Sequence, residues 1–156
     1  MLYHSIGSGK TLTSFKVISN FINKSTDWTI YFVCPPGLVS YVSNEINKFS
    51  SILPKSFKHK FYRISYISFA NRLAGKTRWE IGPYKGQLIK DNSENRLLEN
   101  SLVVIDEIHN IHSSDTNIRN AFNIIYKSIR QCKNIKLLTL TGTPIKREPY
   151  EIGRVI

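Results

Sequence analysis

The chain has 156 residues, of which 41% are hydrophobic and 12% aromatic, so it suits one folded domain and is too apolar for a disordered segment. Lysine and arginine outnumber aspartate and glutamate by 22 to 11, and the formal net charge of +11 favours a polyanionic partner, with nucleic acid first. No apolar run approaches the roughly 20 residues that cross a bilayer, and the start lacks the regions of a signal peptide, so we expect a soluble intracellular protein with no membrane partner.

The first half of the chain alternates between helical and strand patterns. Apolar residues at helical spacing predict one helix over 12–22 and a second over 38–50. Between them, segment 28–35 is rich in β-branched and aromatic residues and ends at two prolines, which predicts a buried strand. Segment 62–69 has a similar composition and predicts another strand.

The second half begins with a weaker pattern and then returns to the alternation. Residues 75–100 are polar and punctuated by glycines, which predicts an irregular insertion with a short helix near 93–100. The near-continuous apolar run 101–107 predicts a central parallel strand, 117–132 an amphipathic helix and 135–144 a last strand. Strands separated by helices predict an α/β domain with a mainly parallel central sheet flanked by helices.

The segment GSGKT has the residue types of a phosphate-binding loop. Its glycines allow a tight turn whose N–H groups point at phosphate oxygens, with a helix N-terminus behind them. Lys10 would reach the β- and γ-phosphates of ATP, and the Thr11 hydroxyl would hold Mg²⁺. A glycine turn that merely caps a helix is the alternative. The expected nucleotide-binding residues are Ser5, Ile6, Gly7, Ser8, Gly9, Lys10 and Thr11.

The segment LVVIDEIH places two carboxylates at the end of an apolar strand, where open α/β sheets bind ligands. Asp106 is the expected Mg²⁺ partner, and Glu107 is expected to polarise the attacking water. A solvated acidic strand end is the alternative, and the four apolar residues before Asp106 make it less attractive. With Lys10, these two carboxylates form the predicted catalytic set.

The segment LTLTGTP delivers Thr141 and Thr143 to the end of the last predicted strand. Their hydroxyls could sense the γ-phosphate of ATP through Glu107 or His109. Threonine is also common in strands because of its β propensity. Taken alone, this segment favours a plain transition from strand to turn.

The basic run, residues 48–63, carries five lysines and arginines, no acidic residue and four interleaved aromatic residues. Such a composition suits contact with a nucleic-acid backbone together with base stacking. A solvated loop whose aromatic side chains pack beneath it has the same composition. Both interpretations stay open.

GSGKT, DEIH and TGTP, in this order, resemble motifs I, II and III of the superfamily 2 helicases and translocases. Segment 33–46 resembles their motif Ia, and segment 63–73 resembles the next conserved stretch of the same domain. The form of the motifs is most similar to helicase-like ATPases of large cytoplasmic DNA viruses, which include poxvirus-type nucleoside triphosphatases and early transcription factors. In many relatives the first loop position, here His4, is already not glycine.

The resemblance implies that residues 1–156 form the first RecA-like lobe of a P-loop NTPase, with ATP and Mg²⁺ as cofactors. It implies hydrolysis coupled to movement on DNA or RNA, a second lobe that supplies an arginine finger, and a transcription complex as a further partner. We therefore expect a chain truncated at both ends, and for a viral protein the host cytoplasm or the virion. Lys146 and Arg147 stand where relatives often carry asparagine.

Two further sets of residues have expected roles. The resemblance implies that His109, Thr141, Gly142 and Thr143 couple the nucleotide to the second lobe. Residues expected at the nucleic acid are Pro35, Pro36 and Gly37, from the resemblance to motif Ia, and Lys55, Lys58, Lys60 and Arg63, from the composition of the basic run. Two competing hypotheses are a fragment of a split helicase that binds nucleic acid or a partner without hydrolysis, and a P-loop ATPase with no nucleic-acid role.

Overall fold

A computed structural model of the chain describes residues 2–3, 9–24, 28–48, 61–78 and 98–142. Most of the predicted insertion and most of the basic run lie outside these ranges. The predictions for the following site residues lie outside them too: Ser5, Ile6, Gly7, Ser8, Lys55, Lys58, Lys60 and Thr143.

The described strands form one parallel sheet. They are β1 (Leu2–Tyr3), β2 (Thr29–Cys34), β3 (Phe61–Ser65), β4 (Ser101–Ile105) and β5 (Ile135–Thr141). The spatial order is β1-β5-β4-β2-β3, and every pairing is parallel. The predicted parallel α/β sheet is therefore confirmed, and β4 lies at its centre.

Four helices of the described residues cover the two faces of the sheet. They are α1 (Lys10–Lys24), α2 (Val39–Lys48), α3 (Tyr66–Leu73) and α4 (Thr116–Gln131), and two short 3₁₀ segments span Pro36–Leu38 and Ile108–His112. One apolar cluster joins α3 and α4 to one face, and a second joins α1 and α2 to the other. Because β2 and β4 are covered on both faces, they are buried along nearly their whole length, as their apolar composition predicted.

The predicted strand over 62–69 is partly wrong. The strand ends at Ser65, and α3 begins at Tyr66. Ser65 caps the helix, since its hydroxyl oxygen accepts a hydrogen bond from the Ser68 backbone N–H at 3.3 Å. The buried residues of α3 recur at helical spacing, so packing on the sheet overrides the strand propensity of this segment. They are Tyr66, Phe69, Ala70 and Leu73.

The helical spacing over 12–22 also predicted one buried face that included Leu12, and this is wrong. Leu12 does not lie on the buried face of α1, since it is 43% exposed, whereas Phe15, Ile18 and Ile22 are buried. At 100° per residue, Leu12 lies about 90° from the centre of that buried face. Residues 98–100 form a turn, and the rest of the expected short helix near 93–100 lies outside the described residues.

The amino-terminal edge of the sheet is built from polar turn contacts. Asn100 precedes β4 and Asn134 precedes β5, and both have left-handed backbone angles, with φ of 52° and 54°. The Asn134 side-chain amide donates to the side-chain carbonyl of Asn100, and the Thr29 backbone N–H donates to the Asn100 carbonyl at 3.0 Å. These contacts tie the starts of β2, β4 and β5 together. In the part of the chain that the structure describes, no helix is long and apolar enough to cross a membrane.

Candidate functional site

Three segments of the predicted site meet at the carboxyl edge of the sheet. The carboxyl ends of parallel strands lie at one edge, and the neighbours β1, β5 and β4 bring their following segments together there. Gly9 and Lys10 open α1, residues 106 and 107 follow β4, and Thr141 ends β5. The topology alone therefore brings all three motifs to one place.

Gly9 sets the start of α1 by its backbone conformation. Its φ is +80°, a left-handed value that side chains rarely adopt, and its carbonyl accepts the Thr13 N–H at 2.9 Å. A Cβ at Gly9 would meet no atom within 4 Å, so the requirement for glycine is conformational and not steric. Lys10 follows as the first residue of the helix.

Lys10 and Glu107 form an ion pair, although 97 positions separate them in the sequence. The Lys10 ammonium donates to Glu107 Oε1, and the two side chains are only 15% and 24% exposed. The other carboxylate oxygen, Oε2, lies 3.1 Å from His109 Nδ1 and 3.5 Å from the Gly142 backbone nitrogen. The Glu107 carboxylate is thus the point where the three segments converge.

His109 joins that carboxylate to the end of β5. Its Nδ1 lies 2.9 Å from Thr141 Oγ1, and Thr141 is fully buried. The same ring nitrogen therefore faces a hydroxyl and a carboxylate oxygen. The resulting chain of contacts runs from Thr141 through His109 and Glu107 to Lys10.

Asp106 is buried beside this chain of contacts, with 7% of its surface exposed. Its N–H donates to the Val33 carbonyl at 2.8 Å, and its Oδ1 accepts the Glu107 N–H at 3.0 Å. Burial raises the pKa of Asp106 to about 6, and the neighbouring Glu107 acts in the same direction, whereas the Lys10 ammonium lowers that pKa. Thr11 is the second residue of α1. Its hydroxyl and the Asp106 carboxylate supply hard oxygen atoms, the donor type that Mg²⁺ prefers.

The buried charge of Asp106 makes stability depend on pH. Its pKa in the folded protein lies above the ordinary 3.8, so the folded state binds this proton more tightly than the unfolded state does. Ionisation therefore lowers stability as pH rises from about 4 to about 6, and the loss is complete above that range. Asp106→Asn, which keeps an oxygen for the Glu107 amide, will raise the free energy of unfolding at pH 7 by on the order of 2 kcal/mol.

Urea unfolding in metal-free buffer at several pH values between 4 and 7 measures this effect. The gain from Asp106→Asn should be absent at the acidic end and grow with pH. Asp115→Asn is the matched control, because Asp115 is the exposed N-cap of α4 and asparagine caps helices as well. An equal gain at both ends of the pH range would contradict the prediction.

A family model described as "Type III restriction enzyme, res subunit" (ResIII) matches residues 1–146 of the chain. The chain belongs to this family. A termination factor NPH-I homolog of African swine fever virus is 29% identical over 156 residues, covering 97% of this chain and 21% of its own length. Nucleoside triphosphatase I of Choristoneura biennis entomopoxvirus is 27% identical over 163 residues, covering 100% of this chain and 23% of its own. This ResIII domain spans about a fifth of the length of these curated relatives.

The ResIII domain also has the fold of solved helicase-like ATPases. It is similar to the Sulfolobus solfataricus SWI2/SNF2 ATPase core in complex with double-stranded DNA, with a TM-score of 0.59 and 20% identity over 98% of this chain and 29% of that one. The predicted RecA-like fold is confirmed. The resemblance to superfamily 2 helicases, and within them to poxvirus-type nucleoside triphosphatases, is confirmed as well.

The residues expected at nucleic acid are only partly described. Pro35 follows β2, and Pro36 and Gly37 are exposed in the 3₁₀ segment at the carboxyl edge of the sheet. Arg63 is exposed in the middle of the edge strand β3. The contacts that join Glu107 to Lys10, His109 and Gly142 involve none of these four residues.

Two aromatic residues of the basic run, Phe61 and Tyr62, lie in the described part of the chain. Phe61 is 8% exposed, and its ring centroid lies 6.0 Å from that of Phe32. Tyr62 is half-buried with its ring 5.6 Å from that of Tyr31. Both rings pack against the core, which leaves Phe61 too buried to stack on a base, whereas Tyr62 stays partly exposed.

Sequence reasoning missed one polar residue at the site. Tyr66 is 1% exposed, and its hydroxyl donates to the Asp106 carbonyl and lies 3.4 Å from the Glu107 carbonyl. The predicted strand over 62–69 gave no reason to place Tyr66 at the site. The signal that could have located it is the helical spacing of the apolar residues from Tyr66 to Leu73.

Proposed function

We propose that this ResIII domain binds and hydrolyses ATP, and that in the whole protein hydrolysis drives movement along DNA or RNA. The observation that supports it most is the convergence of Lys10, Glu107, His109 and Thr141 at one edge of the sheet. An ammonium and a carboxylate held at this edge are what phosphate binding and water activation require. The names of the viral relatives, a nucleoside triphosphatase and a termination factor homolog, agree with it.

Each residue would have one task in this proposal. Lys10 would turn from Glu107 to the β- and γ-phosphates and neutralise their charge. Glu107, released from that ion pair, would accept a hydrogen bond from the attacking water. Thr11 and Asp106 would hold Mg²⁺, which supplies positive charge to the phosphates when bound.

His109 would couple the state of the nucleotide to the contacts at the end of β5. Its ring already bridges the Glu107 carboxylate and Thr141, so a movement of that carboxylate changes a contact of β5. Gly142 and Thr143 follow directly and would carry the change toward a second lobe. This lobe, a transcription complex and the coupling itself are parts of the proposal.

The isolated domain should bind ATP but turn it over slowly, because an arginine finger contributes on the order of 10³ to 10⁵ in rate to phosphoryl transfer. Binding of a fluorescent ATP analogue with Mg²⁺, beside steady-state phosphate release, tests this expectation. Processive duplex unwinding by residues 1–156 without an added lobe would contradict the proposal. Failure to bind the analogue above the level of the Lys10→Ala variant would contradict it too.

The basic run should provide salt-dependent binding to single-stranded nucleic acid. Replacing four of its five basic residues with alanine should weaken oligonucleotide binding about tenfold or more at 0.1 M salt, and the salt slope should fall by about 0.7 for each phosphate that is no longer neutralised. Titration of a labelled oligonucleotide at several salt concentrations measures both. The four residues are Lys55, Lys58, Lys60 and Arg63.

The control removes the same charge elsewhere. It replaces four exposed residues of α4 and of the segment that follows it through the start of β5: Arg119, Lys127, Lys133 and Lys136. The net charge of both variants is identical, so a general loss of positive charge would weaken both equally. Equal weakening would contradict a specific role of the basic run, and binding that does not respond to salt would favour an ATPase without a nucleic-acid role.

A further inference from the structure

We propose that Tyr66 is a positioning residue for ATP hydrolysis, which holds the backbone of residues 106 and 107 so that the Glu107 carboxylate faces the reaction. The inference rests on the proposed function and adds a residue outside the three motifs that carry it. Tyr66 does not meet the phosphates in this proposal, and it acts through the backbone of its neighbours.

The contacts of the Tyr66 hydroxyl are made to the backbone of the acidic pair. It donates to the Asp106 carbonyl and lies 3.4 Å from the Glu107 carbonyl. The Asn110 N–H donates to the Glu107 carbonyl at 3.0 Å. One buried phenol therefore contacts the backbone carbonyls of both residues of the acidic pair.

The ring of Tyr66 is held as firmly as its hydroxyl. Tyr66 is the first residue of α3 and is 1% exposed, and its ring centroid lies 4.8 Å from that of Phe122 on α4. Burial raises the pKa of this hydroxyl, so it remains protonated and able to donate near neutral pH. The hydroxyl thus reaches the turn from a fixed platform formed by two packed helices.

The turn needs such support because of the conformation of Glu107. Glu107 has φ of 51° and ψ of 49°, the left-handed region that residues with a Cβ avoid. This conformation directs its side chain to Lys10, His109 and the Gly142 amide. If residue 107 returned to an ordinary backbone conformation, its Cα–Cβ bond would point elsewhere and the carboxylate would leave these three partners.

Loss of the Tyr66 hydroxyl should therefore affect turnover more than nucleotide binding. The start of α1, which would bind the phosphates, has its own backbone hydrogen bond, from the Thr13 N–H to the Gly9 carbonyl at 2.9 Å. Displacement of a reacting group by about 1 Å costs up to about a hundredfold in rate. We expect Tyr66→Phe to lower kcat about tenfold or more and to change the Kd for ATP by less than about threefold.

The test compares Tyr66→Phe with Ile125→Val in the longest natural form of the protein that contains this domain. Phenylalanine keeps the ring against Phe122, and Ile125→Val removes one methylene from the same apolar cluster without a polar group. The measurements are kcat, the Kd for ATP, and amide hydrogen exchange over residues 106–110. We expect Tyr66→Phe to show faster exchange over these residues and a lower kcat with little change in Kd. Ile125→Val should show neither effect.

Other outcomes overturn the inference and separate it from the proposed function. If the unaltered protein hydrolyses ATP and Tyr66→Phe keeps kcat within twofold, Tyr66 is not a positioning residue. The same conclusion follows if Kd weakens in parallel with the fall in kcat, or if Ile125→Val lowers kcat equally. If the unaltered protein hydrolyses no more ATP than Lys10→Ala, the proposed function fails, and the inference about Tyr66 fails with it.

Discussion

Replacing Glu107 with glutamine will lower the rate of ATP hydrolysis about a hundredfold or more and leave ATP binding unchanged or tighter. A carboxylate that polarises or deprotonates the attacking water contributes roughly 10² to 10⁴ in rate, and glutamine cannot accept the proton. Binding does not suffer, because Glu107 holds the Lys10 ammonium in an ion pair that nucleotide phosphates must displace. A neutral glutamine side chain competes with the phosphates for the Lys10 ammonium more weakly than the carboxylate does.

Single-turnover hydrolysis and equilibrium binding of ATP, measured on the same preparations, separate the two effects. Glu99→Gln is the matched control, since Glu99 is exposed in the turn that precedes β4, at the opposite end of that strand. It removes the same charge far from the carboxyl edge and should change neither quantity. A Glu107→Gln variant that hydrolyses ATP within threefold of the unaltered protein would refute the role given to Glu107.

The second large effect is the loss of nucleotide affinity in Lys10→Ala. We expect the Kd for ATP to rise about tenfold to a hundredfold, because a hydrogen bond to a charged group contributes about 1.5–3 kcal/mol. The variant also leaves the Glu107 carboxylate, only 24% exposed, without its cation at the edge where phosphates would bind. Both changes act against an anionic ligand.

Calorimetry or a fluorescent ATP analogue measures the change in affinity. Lys16→Ala is the control on the same helix, because Lys16 is exposed on α1 and its loss changes the net charge equally. If both variants bind ATP as the unaltered protein does, Lys10 does not contact the phosphates. The double variant Lys10→Ala with Glu107→Gln should regain part of the affinity that Lys10→Ala removes, since the unpaired carboxylate is then gone.

Periodicity and strand ends were enough to predict the site's location, because both depend on local sequence. The run from Leu102 to Ile105 is buried on two faces and therefore uniformly apolar, so its end at Asp106 was visible without a structure. The convergence of Lys10 with Glu107 follows from parallel pairing, which the alternation of helices and strands predicts. The roles of these residues stay predictions.

Tertiary packing decided what the sequence could not predict. The aromatic and β-branched residues after Ser65 favour a strand locally, yet they form α3 because their apolar side chains pack on the sheet and on α4. The left-handed conformation of Glu107 has no sequence signal either, since neither glycine nor asparagine marks it. The contact of Tyr66 with this turn could not be predicted either, because a hydrogen bond between positions 40 apart leaves no local sequence pattern.

The two edges of the sheet are held by different kinds of contact. Asn100 and Asn134 clasp the starts of the strands with neutral side chains, whereas the ionisable groups of the site lie at the strand ends. Alanine at either asparagine would strain a left-handed turn and loosen the register of β4 and β5, five residues or more from the nearest charged group of the site. Substitutions at Asn100 or Asn134 can therefore change the stability of the strand starts without moving the ionisable groups at the strand ends.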